Sequence, residues 1–138
     1  MEIRPFQMED YPAVMALWRA TQGIGLSSAD EPAAIAAYLE RNPGLSFVAW
    51  VEGRLAGAVL CGSDGRRGYL HHLAVAPEFR RQGIGAALVE RCLAGLKAAG
   101  IGKCHLFVFH QNAEAQAFWK RTGWKLRSDL VIMSHDVG

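Results

Sequence analysis

Ala74-Val75-Ala76-Pro77-Glu78-Phe79-Arg80-Arg81-Gln82-Gly83-Ile84-Gly85-Ala86-Ala87-Leu88 is the stretch whose reading decides the fold. Small and branched apolar residues end at a proline, a short basic turn follows, and the apolar period then changes from strand to helix. Ile84, Leu88, Val89, Cys92, Leu93 and Leu96 fall on one stripe, so the spacing predicts a helix over Gly83 to Ala99, closed by Gly100. Its first residues, Gly83-Ile84-Gly85, let a ligand approach the backbone closely, and first-turn N–H groups are unpaired donors at the positive end of the helix dipole. Such a terminus suits phosphate, and Arg80 and Arg81 add two cations beside it. A P-loop is excluded because no Lys-Ser/Thr follows the glycines. A Rossmann turn is excluded because Leu88 stands at the third glycine position and Pro77 to Arg81 separate strand from helix.

Working outward, Tyr69 to Ala76 reads as the strand that feeds this turn. Leu45 to Val51 and Leu55 to Gly62 read as a hairpin around Glu52-Gly53-Arg54, and Asp64-Gly-Arg-Arg-Gly68 connects it to Tyr69. Upstream lie a short strand Glu2 to Phe6, a helix from Glu9 to Ala20, a Gly/Ser-rich loop Thr21 to Ser28 and a helix from Asp30, as its cap, to Arg41. Downstream come a strand Cys104 to Phe109, a helix Asn112 to Thr122, and short strands Trp124 to Arg127 and Leu130 to Ser134. The expected order is β-α-α-β-β-β-α-β-α-β-β, a mixed α/β (α+β) domain built on one sheet and spanning residues 1–138.

Hydrophobic residues are 51% and charged residues 20% of the 138, which excludes a disordered chain. The net charge of +2 argues against a dedicated nucleic-acid binder working through Arg66, Arg67, Arg80 and Arg81. No apolar run approaches the roughly 18 residues of a membrane span, and the N-terminal residues lack a signal-peptide layout. Cys61, Cys92 and Cys104 have no paired spacing, which fits a reducing compartment rather than a zinc site or a disulfide framework. The expectation is a cytoplasmic protein without a metal, a membrane partner or a nucleic-acid partner.

The chain resembles the GNAT superfamily of acyl-CoA N-acyltransferases. The family's pyrophosphate signature, Arg/Gln-x-x-Gly-x-Gly/Ala, is matched by Arg80-Arg-Gln-Gly83-Ile-Gly85, and its preceding strand by Tyr69-Leu-His-His-Leu-Ala-Val-Ala-Pro77. A second motif is matched by Asn112-Ala-Glu-Ala-Gln-Ala-Phe-Trp-Lys-Arg-Thr-Gly-Trp124. The resemblance implies a mostly antiparallel sheet with a splayed central strand pair, flanked by helices. It also implies transfer of acetyl from acetyl-CoA, as cosubstrate, to an amine by direct attack in a ternary complex, and it makes a homodimer a common arrangement. A non-catalytic acyl-CoA-binding module with the same fold is the alternative.

By the same resemblance, backbone N–H groups of Gln82, Gly83, Ile84, Gly85 and Ala86, with Arg80 and Arg81, hold the pyrophosphate. Leu73, Ala74 and Val75 pair with the pantetheine arm like an added strand, where a bulge splays this strand from Cys104 to Phe109, and an N–H near Leu73 faces the thioester oxygen. Asn112 bonds the pantetheine, Arg121 reaches the phosphates, and Phe118 and Trp119 lie on the same cofactor motif.

Relatives commonly carry a tyrosine where this chain has Trp119, and indole cannot act as an acid near neutrality. Tyr69, His110 or water is left to protonate the thiolate. Tyr69, His71 and His72 are the candidates for the base. Strict alternation puts Tyr69 and His71 on one face and His72 on the other, unless the bulge resets it. The acceptor pocket is expected from Trp18, the Thr21–Ser28 loop with Leu26, and the turns carrying Asp64 and Asp129. Asp30, Glu31, Asp64 and Asp129 could attract a cationic amine, although caps and turns commonly use such residues too. Phe47, Trp50, Phe107, Phe109 and Phe118 are expected to build the core around the cleft.

Overall fold

Glu52 and Gly53 take φ of 48° and 77° between paired Val51 and Arg54. This is the two-residue hairpin turn whose central positions both need positive φ, and its twist matches that of the flanking strands. The hairpin belongs to the first of two units, Met1–Phe107 and Val108–Gly138, in a computed structural model that describes residues 1–138.

The first unit runs β1 (Glu2–Pro5), α1 (Tyr11–Ala20), α2 (Pro32–Arg41), β2 (Phe47–Val51), β3 (Arg54–Ser63), β4 (Gly68–Val75), α3 (Ile84–Ala98) and β5 (Cys104–Leu106). The strands lie side by side in chain order, with β1 to β4 antiparallel and β5 parallel to β4. Prolines stand in the first turn of α1 and α2, where a missing N–H costs little. Single 3-10 turns precede both helices, at Met8–Asp10 and Ser28–Asp30, so each helix begins about one half-turn later than its apolar pattern suggests. Asp30 therefore belongs to the turn, and Glu31 is the residue that precedes α2.

Alternation along β3 explains the layers. Ala58 and Leu60 pack in one cluster with Val14, Trp18 and Ile35 from α1 and α2. A side chain at Gly57, the neighbouring position, would meet Leu88 and Ile84 of α3 instead. Helices α1 and α2 thus cover one face of the sheet and α3 the other. On α3 the buried stripe is Ile84, Leu88, Val89, Cys92 and Leu96, while Leu93 lies outside it at 39% exposure. Among the expected core aromatics Phe47 is buried, but Phe107 is 59% exposed because β5 ends at Leu106 rather than continuing to Phe109. Trp50 is half-buried, and its indole N–H has no partner.

The second unit holds α4 (Ala113–Arg121), capped by Asn112 through Oδ1, which accepts from the Ala115 N–H at 3.0 Å. Trp119 packs edge-on against Phe118 and Trp124, with ring centroids 5.0 and 5.2 Å away. Phe109 is 53% exposed. The expected strands Trp124 to Arg127 and Leu130 to Ser134 are absent: residues 124–138 carry no strand or helix. Leu130, Val131, Ile132 and Met133 have a strand-like composition but no ladder partner, and propensity without a partner does not make a strand. The mixed α+β class stands, and the regular elements end at α4.

Candidate active site

The sheet is interrupted at one place on β4. Leu60 lies opposite His71 and Ala58 opposite Ala74, so His72 and Leu73 together face the single residue Val59. This is a β-bulge with one extra residue on β4. His72 takes the extra residue's conformation at φ 56°, in the left-handed region. Holding a non-glycine residue there costs about 1–3 kcal/mol and persists only where the surroundings impose it.

Two groups impose it. Trp18 is completely buried on α1, and its Nε1–H donates to the His72 backbone carbonyl at 2.9 Å. Asp30 is 5% exposed, and its Oδ1 stands 2.9 Å from His72 Nε2. The other carboxylate oxygen accepts the Ser27 backbone N–H at 3.0 Å. Tyr11 steadies the same turn from α1, donating its hydroxyl to the Asp30 carbonyl at 2.6 Å. A carboxylate is acceptor-only, so the imidazole nitrogen facing it carries the proton.

The bulge also resets the alternation. His71 and His72 both open on the α1/α2 side, with rings 6.3 Å apart, and line one cavity of about 270 Å³ with Asp30, Tyr38, Ile35 and Leu60. Burial holds the His71 imidazole below its ordinary range, and repulsion from His72 adds to this against a partial offset from Asp30. Tyr38 is raised above the ordinary phenol range, mainly by burial, and its hydroxyl has no hydrogen-bond partner. Asp30 is the only carboxylate among the cavity-lining residues.

Beyond Leu70 the outer edge of β4 is open. Its parallel pairing with β5 covers only Gly68, Tyr69 and Leu70, which leaves His71 to Val75 without a strand on that side. The backbone of Leu73, Ala74 and Val75 therefore presents an unpaired edge, as a splayed strand pair requires. A 3-10 turn at Pro77–Phe79 then leads to α3. Arg81 and Gly83 take φ of 63° and 78°, and the first intrahelical bond runs from the Ala87 N–H to the Gly83 carbonyl at 3.0 Å. The first-turn amides of Ile84, Gly85 and Ala86 are left without intrahelical acceptors. Gln82 and Arg81 are exposed beside them. Arg80 is exposed as well, its Nε–H donating to the Val75 carbonyl at 3.0 Å, so that it ties the turn to the end of β4.

The remaining expected site residues lie elsewhere. Tyr69 is three positions before the bulge, stacked 6.2 Å from Phe107 and tilted against His105, and it does not line the cavity. Trp18 supports the bulge from within the core rather than forming a pocket wall. Leu26 packs on the core, while its loop neighbours Gly25 and Ser27 line the cavity. Asp64 is an exposed turn residue, held below the usual carboxylate range by the backbone N–H groups of Arg67 and Arg66. In the second unit Asp129 is paired with Arg127 through two 3.0 Å bonds, and Arg121 lies over the Phe118 ring. His110 is exposed. Tyr38 was not anticipated, because its helix pattern marks it only as a core-facing position. The Asp30–His72 contact was not anticipated either. Its one local sign is Ser27-Ser28-Ala29-Asp30, a capping-box spacing that fixes the carboxylate at the head of a turn.

No helix is long and apolar enough to cross a membrane. The family model for the acetyltransferase (GNAT) family matches residues 11–124. An acetyltransferase from Pectobacterium atrosepticum is 39% identical over 112 residues, 81% of this chain and 79% of that protein. Ard1 from Thermoplasma volcanium superposes with a TM-score of 0.80 at 23% identity, over 92% of this chain and 84% of that one. The PaiA N-acetyltransferase from Thermoplasma acidophilum, solved with coenzyme A, gives a TM-score of 0.78 at 22% identity, over 91% and 90%. A bulged strand with an open edge, a glycine turn at a helix N-terminus and a family match across 11–124 converge on one conclusion: this chain belongs to the acetyltransferase (GNAT) family.

Proposed function

We propose that residues 1–138 form one N-acetyltransferase domain that moves an acetyl group from acetyl-CoA to an amine, with His72 as the base. The observation that carries this reading is the β4 bulge, which sets a half-buried, partnered imidazole directly beside an unpaired strand edge. The amides of Ile84, Gly85 and Ala86, with Arg81, receive the pyrophosphate of the cosubstrate. The pantetheine arm runs along the open edge at Leu73 to Val75.

Chemically, the amine nitrogen attacks the thioester carbon, an N–C bond forms, and the C–S bond breaks. The developing oxyanion is met by a backbone N–H near Leu73. The amine's proton passes to His72, and the sulfur leaves as a thiolate that takes a proton from solvent. A thiol with a pKa of about 8.5 is an adequate anionic leaving group, so Trp119 need not act as an acid. An alkyl amine of pKa about 10.4 is almost wholly protonated at neutral pH, which is why a base is needed.

The test is release of free CoA thiol from acetyl-CoA across a panel of amino acids, polyamines, arylalkylamines, peptides and aminoglycosides, with the acetylated product identified by mass. Amine-dependent thiol release with N-acetylated product supports the reading. Tight CoA binding without release from any amine would instead favour a non-catalytic acyl-CoA module.

A further inference from the structure

We infer that Asp30 is a positioning residue for the proposed reaction: it holds His72 in the tautomer with the proton on Nε2, which leaves the lone pair on Nδ1 to take the amine's proton. The inference rests on the acetyltransferase reading and adds to it a residue and an atom.

The argument starts from valence. A neutral imidazole has one N–H and one bare nitrogen, and the hydrogen bond made by either nitrogen decides which is which. Asp30 Oδ1 lies 2.9 Å from Nε2, and an ionised carboxylate can only accept, so Nε2 is the protonated atom. Nδ1 is engaged by no protein group, on a ring that lines the cavity. Asp30 is itself fixed by three constraints: the Ser27 N–H on Oδ2, the Tyr11 hydroxyl on its carbonyl, and burial to 5% exposure. With both oxygens engaged, the carboxylate is a built support for the imidazole rather than a free anchor for the acceptor's charge. When Nδ1 takes the proton, the imidazolium sits against a carboxylate that was already in place, and no reorganisation is needed at the moment of transfer.

The groups facing His72 are few. From its own strand there is His71, whose imidazole burial holds below its ordinary range. From α1 there is the Trp18 indole, which does not titrate, and Tyr11 touches only the Asp30 carbonyl. From α2 there is the Tyr38 phenol across the cavity, held in its neutral form. Asp30 is thus the one negative group that faces the imidazole.

The experiment compares the parent protein with Asp30→Asn. An asparagine can keep its oxygen on the Ser27 N–H while turning its NH₂ toward His72, which makes Nε2 the acceptor and moves the proton to Nδ1. Histidine-ring nitrogen shifts from nitrogen-15-labelled protein, recorded above the imidazole titration, are expected to show Nε2–H in the parent and Nδ1–H in the variant. Together with this, kcat/KM falls by about 10²- to 10⁴-fold, the range of a lost general base, while acetyl-CoA affinity is unchanged. An Nδ1–H tautomer in the parent would overturn the inference even where acetyl transfer is intact, and this readout needs no folded variant. A folded Asp30→Asn with the parent's kcat/KM would overturn it as well. Absence of transfer from every amine would overturn the acetyltransferase reading and the role of Asp30 with it.

Discussion

Trp18 and His72 meet twice: the indole Nε1–H of the first donates to the backbone carbonyl of the second at 2.9 Å, and the two rings stand edge-on with centroids 5.0 Å apart. A core residue of α1 thereby fixes the conformation of the strand residue that carries the proposed chemistry. The bulge is an exception to sheet geometry, and it is stable because the carbonyl it displaces has a buried donor waiting for it.

Trp18→Phe keeps an aromatic ring in the core and removes only the N–H and part of the volume. Leaving the His72 carbonyl unsatisfied costs about 1–3 kcal/mol, readable in chemical denaturation. The same variant lowers kcat with little change in KM for acetyl-CoA, because the glycine turn is untouched. Parent-like kcat in a destabilised Trp18→Phe protein would show that the bulge does not need this clamp.

His71 sets a pH dependence of stability whose sign is fixed. Its folded-state pKa lies below the ordinary 6.5, chiefly through burial, so between the two values the unfolded chain binds more protons than the native one. Stability then rises with pH across that window and falls as pH drops below about 6.5 toward the folded-state value, levelling off beneath it. Denaturation midpoints of His71→Phe measured through this range should be flatter than those of the parent. Equal slopes would remove His71 from the account.

Gly83 takes φ 78° at the start of α3, and a Cβ there would meet no protein atom within 4 Å. The fold of Gly83→Val therefore has room for the side chain, but the left-handed backbone is strained for a β-branched residue and the methyls occupy the face offered to phosphate. CoA affinity should drop at least about tenfold, equivalent to ~1.4 kcal/mol, in a calorimetric titration of folded protein. Unchanged affinity would place the pyrophosphate elsewhere.

Arg4 and Asp10 form a two-pronged pair at 2.7 and 2.9 Å, with Asp10 2% exposed and also accepting the Gln7 N–H. Arg4 stays 31% exposed and solvated when its partner is removed, so Asp10→Ala should destabilise the protein by about 1–3 kcal/mol through the lost charge-assisted hydrogen bonds. Because the pair lies outside the cavity lining, kcat at a temperature well below unfolding should be unaffected. A loss of activity larger than the loss of folded protein would contradict this separation.

What was legible in the sequence is what local chemistry determines. The turn expected at Glu52-Gly53-Arg54 and the helix expected over Gly83 to Ala99 follow from residues within a few positions of one another, and the structure differs only at their ends: Arg54 already belongs to β3, and α3 runs from Ile84 to Ala98. The glycine-rich turn that begins α3 is legible for the same reason. The bulge on β4 is less so: no glycine marks it, and a histidine is pressed into the left-handed region by contacts from other elements. The pairing of Asp30 with His72 spans 42 residues and depends on how a 3-10 turn packs over a strand, which no window of sequence contains. Leu130 to Met133 illustrates the reverse case, a strand-like pattern without a strand, since a ladder needs a partner as well as branched side chains.

The central claim is that His72 takes the acceptor's proton, and the most direct measurement is the pH dependence of kcat/KM for thiol release in three proteins: the parent, His72→Ala and Tyr69→Phe. The account predicts that the parent's kcat/KM rises with pH through an inflection, that Tyr69→Phe keeps both the inflection and most of the rate, and that His72→Ala loses the inflection along with about 10²- to 10⁴-fold in rate. A His72→Ala protein that folds, binds CoA and retains the parent's pH profile would contradict the account, and transfer of the loss to Tyr69→Phe would assign the base to Tyr69 instead.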